Sequence, residues 1–133
     1  ATVHTGETPH TNADGVIAVV RRLKVRRIGH GIRAAYNEEA MKILREENVT
    51  LEICPTSNLH TRAVSGIEEL RFVLRTFIDR RVRFTINTDA TYMLGTDLRR
   101  EVELLVAAGI LTGPDVERCF ATARDASFIP AER

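Results

Sequence analysis

Four short polar words recur along this chain at nearly constant spacing, and that spacing limits the fold more than any other feature. They are His4-Thr5-Gly6-Glu7, Arg27-Ile28-Gly29-His30-Gly31, Cys54-Pro55-Thr56-Ser57-Asn58 and Asn87-Thr88-Asp89-Ala90. From His4 to His30 is 26 residues, from His30 to Asn58 is 28, and from Asn58 to Asp89 is 31. Each word follows an apolar, strand-like run, and a helix-like segment fills each interval. A strand and its crossover helix take up such a length, so the words mark the carboxyl ends of successive parallel strands.

The segments between the words support this alternation. Val3 closes a leading piece that reads as the last part of a strand. Asn12 and Asp14 are cap candidates for a helix whose apolar stripe is Val16, Ile17, Val19, Val20 and Leu23. Val25 to Ile28 reads as a short strand. Asn37 caps a helix from Glu38 to Arg45, acidic first and basic later, as the helix dipole favours. Val49 to Cys54 is a strand stopped by Pro55. Ile67, Leu70, Val73, Leu74, Phe77 and Ile78 follow helical spacing, and Val82 to Ile86 alternates as a strand. Thr96 is expected to cap a helix carrying Leu98, Val102, Leu105 and Val106, which Gly109 ends. A last helix starts near Pro114 and is expected to reach about Phe128.

With 133 residues the chain suits one domain, and no low-complexity linker divides it, so residues 1–133 read as a single unit. A closed eight-stranded barrel typically takes about 250 residues. The expected fold is therefore α/β: about four parallel strands with flanking helices, half of a TIM-type (βα)8 barrel. An isolated half would leave two unpaired edges and half of an apolar interior exposed. The chain also begins almost on its first functional strand end, so the expectation is a fragment of something larger.

A net charge of +1 gives no strong field for nucleic acid. Five cations do crowd residues 21–27, where a helix C-terminus runs into a strand, but no aromatic residues interleave them. No apolar run of about 18 residues is present, so no membrane partner is expected. The absence of a signal-like start, and two cysteines 65 residues apart, make the cytoplasm the expected location.

Several residues at the strand ends carry useful chemistry. His4 offers an imidazole suited to zinc. Glu7, three residues on, can share its pocket and act as a general acid if partly desolvated, while Gly6 permits close approach of backbone or substrate. A solvated surface turn is the alternative reading of these residues. His30 sits between two glycines and is a natural base for a nucleophilic water, or else a turn histidine bonded to backbone. Asp89 is the lone carboxylate of its strand end; it can ligate a metal through one oxygen and hold water with the other, or cap the next helix. Cys54 reads as a small buried hydrophobe rather than a nucleophile. His10 and His60 read as solvent-facing loop residues, although His60 follows a strand end.

Together, RIGHG at 27–31, LEICPTSN at 51–58, His-x-Gly-Glu at 4–7 and Asn-Thr-Asp at 87–89 closely resemble the second half of the adenosine deaminase family of zinc aminohydrolases. The resemblance covers essentially the whole chain and corresponds to strands five to eight of that barrel. It implies that His4 and Asp89 are zinc ligands, that Glu7 protonates a purine ring nitrogen, and that His30 orients and deprotonates the attacking water. It further implies one Zn2+ per complete site, an aminopurine or nucleoside as the small-molecule partner, and hydrolytic deamination with loss of ammonia. Gly6 is a candidate substrate contact.

The chain departs from that pattern at a few positions. Ala90 stands where the family usually has a second aspartate for the five-membered purine ring, Thr91 where proline is common, and Thr5 where alanine is usual. The first-strand His-x-His pair is absent. Two partners are therefore expected for the rim: a missing N-terminal half-barrel, or a second copy of this chain in a non-catalytic, self-associating half-barrel. A related hydrolase acting on an amide or another exocyclic group is a third reading.

Overall fold

Four parallel strands form one sheet in the order of the sequence: β1 (Thr2–Thr5), β2 (Arg27–His30), β3 (Thr50–Ile53) and β4 (Arg83–Ile86). The computed structural model describes residues 1–130. Between the strands lie α1 (Ala13–Leu23), α2 (Glu38–Glu46), α3 (Pro55–His60) and α4 (Ile67–Asp79). After β4 come α5 (Thr91–Leu94), α6 (Leu98–Ala107) and α7 (Gly113–Asp125). The expected α/β half-barrel of four parallel strands is what the chain forms. β1 is more than a remnant, because all four of its residues pair in register with β2, His4 opposite Gly29 and Thr5 opposite His30.

Strand alternation divides the sheet into two unlike faces. Ile28, Leu51, Ile53, Phe84 and Ile86 lie on one face and are buried with the helices. From α4 they meet Leu70, Val73, Leu74 and Phe77, none of which is exposed to solvent. Phe77 and Phe84 place their rings 6.2 Å apart, within the range of favourable tilted aromatic pairs. The opposite face carries Thr2, His4, Arg27, Gly29, Glu52 and Thr85. This corrects the expectation of a bared apolar interior: the uncovered face is polar. Arg27 Nε donates to Glu52 Oε1 at 2.6 Å, and Arg27 also donates to the Ala126 carbonyl at 3.1 Å. One cation of the basic run thus turns inward to a partner rather than facing the helix dipole.

Local chemistry accounts for most of the element ends. Asn12 and Asn37 accept from the first-turn amides of α1 and α2, as expected. Thr96 is not a cap. Asp97 accepts from the Arg100 amide instead, because the buried Thr96 hydroxyl is engaged by Glu101 at 2.7 Å. α7 starts with a capping box between Thr112 and Asp115 and ends at Asp125, three residues short of Phe128. Pro55 stops β3 and also opens α3, since proline suits a first helical position. No helix among the described residues is long and apolar enough to cross a membrane.

Candidate active site

Among the described residues, six non-glycine residues have left-handed backbone angles. Lys24, Asn48, Arg62 and Arg81 follow helices, where such angles close the last turn. The other two, His30 (φ 65°) and Asp89 (φ 58°), lie at the carboxyl ends of β2 and β4. Strand alternation would send the His30 side chain toward the helices. The positive φ redirects it to the rim, where its ring centroid lies 5.3 Å from that of His4. Backbone strain of this kind in non-glycine residues costs about 1–3 kcal/mol and gathers at functional sites.

A cleft of about 270 Å³ lies at this rim, lined by His4, Gly29, His30, Glu52, Cys54 and Asp89 among others. Gly29 leaves room for the His4 ring, because a Cβ there would lie 2.8–2.9 Å from it and push the imidazole aside. Gly6 has φ 66°, and its missing side chain would meet Val16 Cγ2 at 2.5 Å, so packing against α1 already demands glycine. Cys54 is buried, and burial followed by the nearby carboxylates of Asp89, Glu52, Glu101 and Glu7 pushes its thiol up to about 12. It therefore stays protonated at neutral pH and is no nucleophile.

Glu7 reaches the same rim from the turn after β1, with Oε2 3.6 Å from His30 Nε2. His30 is only 4% exposed, and its other nitrogen, Nδ1, lies 3.1 Å from Asn58 Nδ2. Asn58 Nδ2 also approaches Glu7 Oε1 at 3.4 Å, so one fully buried amide touches both groups. Asp89 is exposed, yet its Oδ2 accepts from Ser57 Oγ at 2.8 Å. One oxygen of that carboxylate is thus held in place, leaving Oδ1 as the freer donor. His10 and His60 are exposed as expected, but on a short 3-10 turn and on α3 rather than in loops.

His4, His30 and Asp89 are therefore brought to one cleft, with Glu7 beside His30. Sequence reasoning assigned no role to Ser57 or Asn58, which α3 presents to Asp89 and His30. It also passed over Glu101, which is fully buried. Glu101 lies three residues after Leu98 and four before Leu105, on the apolar stripe of α6, and a carboxylate there was the available signal.

The family model for adenosine deaminase matches residues 1–133. The chain belongs to the adenosine deaminase family. An adenosine deaminase of Clostridium botulinum (strain Hall) is 36% identical over 131 residues, covering 98% of this chain and 38% of that protein. The crystal structure of an adenine deaminase from Arthrobacter aurescens superposes with a TM-score of 0.87 at 27% identity, over 98% of this chain and 38% of that one. The N6-mAMP deaminase of arabidopsis gives 0.78 at 26% identity, over 98% and 37%. The chain thus spans a little over a third of the length of these relatives and corresponds to the C-terminal half of the barrel.

Proposed function

We propose that this chain supplies the acid, the base and two metal ligands of a zinc-dependent site that deaminates an adenosine-like aminopurine, and that its 133 residues act as one C-terminal half-barrel unit. The observation that carries the reading is the convergence of His4, His30 and Asp89 on one cleft, with Glu7 Oε2 3.6 Å from His30 Nε2.

The donors fit zinc in kind, an imidazole and a carboxylate whose second oxygen is already hydrogen bonded. They fall short in number. Among the described residues no three His, Cys, Asp or Glu side chains form a metal-holding group, whereas a catalytic zinc takes three protein ligands. The remaining donors come from outside these residues. A zinc ion bound there supplies Lewis acidity and lowers the pKa of a water toward about 7.

The proton work belongs to the chain's own side chains. Glu7 delivers a proton to the purine ring nitrogen, and His30 accepts one at Nε2. For Nε2 to accept, the imidazole proton sits on Nδ1. The Asn58 amide, whose Nδ2 lies 3.1 Å from Nδ1 and donates to Glu7 Oε1 at 3.4 Å, must therefore turn its oxygen to the pair when His30 serves as base and Glu7 as acid. The Gly6 backbone is the proposed substrate contact beside them. Ala90 offers no polar side-chain atom, which leaves the purine's five-membered ring without a carboxylate partner from that position.

The test is complementation. Adding a polypeptide with the missing strands to the chain should restore one zinc per complex and ammonia release from an aminopurine. Full turnover by the 133-residue chain alone would overturn the account of the metal site. A second reading rests on β1 and β4, each paired on one side only among the described residues: two copies join through these edges as a non-catalytic dimer. A stable dimer in sedimentation, with neither zinc nor turnover after complementation, would favour it.

A further inference from the structure

The structure assigns to Glu101 a positioning role in the site: from α6 it docks the start of α3, so that Ser57 and Asn58 meet Asp89 and His30. This rests on the functional reading above for its purpose, but not for its geometry. Glu101 has no exposed surface, and both of its carboxylate oxygens are engaged. Oε2 accepts from the Thr56 amide at 3.0 Å, and Oε1 accepts from the Thr96 hydroxyl at 2.7 Å.

Thr56 lies in the first turn of α3, where amides lack partners within the helix. Cys54, the cap residue, makes no side-chain capping bond, so a carboxylate 45 residues further along does that work. A negative charge at a helix start is also favourable to the helix dipole. The next two residues of α3 are Ser57, bonded to Asp89 at 2.8 Å, and Asn58, 3.1 Å from His30 Nδ1. A six-residue helix has little stability of its own. Its position depends on what holds it, and Glu101 is the buried polar group that does so from the far side of the site. Thr96 sits where a cap was expected and instead orients this carboxylate.

The experiment is NMR on the 133-residue chain, reading the Thr56 amide, the His30 ring nitrogens and the Asp89 carboxyl carbon in Glu101→Ala and Glu101→Gln. In Glu101→Ala the Thr56 amide proton should move upfield, and the His30 and Asp89 signals should shift with it. Core amides such as Leu74 and Phe77 should stay in place. Glu101→Gln keeps an acceptor for Thr56, and Thr96 can turn toward the Asp97 carbonyl, so this variant should restore the His30 and Asp89 signals. A Thr56 shift that leaves His30 and Asp89 unmoved overturns the proposal. Should Glu101→Ala not fold, Thr96→Val frees Oε1 and should move the same signals in the same direction by less. If Thr96→Val moves none of them, the proposal fails. None of these readouts needs zinc or turnover, so they stand apart from the deaminase reading.

Discussion

Single side chains decide the chemistry of the rim. Glu7 and His30 form a facing pair 3.6 Å apart, and the amide of Asn58 touches both. Glu7→Gln keeps the shape and removes the proposed acid. In the complemented protein it should cut turnover roughly 10²–10⁴-fold while zinc content is unchanged, measured by ammonia release and elemental analysis. Unchanged turnover would remove Glu7 from the acid's role. Gly29→Ala tests the metal side separately. Its Cβ would press on the His4 ring at 2.8–2.9 Å, so zinc affinity should fall about 10–100-fold, read by competition with a chelating dye. His4, Glu7, His30 and Asp89 could be picked out in the sequence because each sits in a distinctive word. Asn58 stood in such a word too, yet its role depends on a ring nitrogen contributed 28 positions earlier.

At the scale of elements, the long amphipathic helices were the most readable. α4 shows its four buried residues at helical spacing, and the structure buries those same side chains. Phe77→Ala should destabilise the chain by about 3–5 kcal/mol, seen as a lower denaturant midpoint with little change in m-value. α3 was not readable, because six residues of Pro-Thr-Ser-Asn-Leu-His have no apolar period to detect. The choice between Thr96 and Asp97 as cap was equally hidden. Both residue types cap helices well, and a buried carboxylate from α6 claimed one of them. The end of α7 is clipped as well, where Asp125 pairs with Arg83 and the Ala126 carbonyl accepts from Arg27.

For the molecule as a whole, Asp115 contributes to the loss of stability in acid, alongside Glu69, which the Tyr36 hydroxyl and Ser65 hold at about 2. Burial alone would raise the Asp115 pKa, but the Thr112 amide, Arg118, the Thr112 hydroxyl and Arg75 hold it at about 2, below its ordinary 3.8. A depressed folded-state pKa contributes stability above the unfolded value, and that stability is lost as pH falls through the folded one. The window for Asp115 is therefore from about pH 4 down to about 2, and its share of the loss is about 2 kcal/mol. Urea titrations at pH 6 and pH 2.5 should show this loss, and Asp115→Asn should shrink it. The polar open face of the sheet also bears on assembly. Thr2 and His4 are exposed there while Arg27 and Glu52 are paired, so that face needs partners of matching polarity rather than a greasy plug.

Residue order alone established the alternation of strand and helix, the parallel half-barrel, and the four polar words at the strand ends. These are matters of period and local turn chemistry, which neighbours along the chain carry between them. Order alone did not show that His30 and Asp89 turn to the rim through left-handed backbone angles. Nor did it show that the inner face is polar, or that Glu101 reaches Thr56 across 45 residues. Those depend on which side chains packing brings within about 3 Å of one another, and buried polar groups must find such partners wherever the fold supplies them.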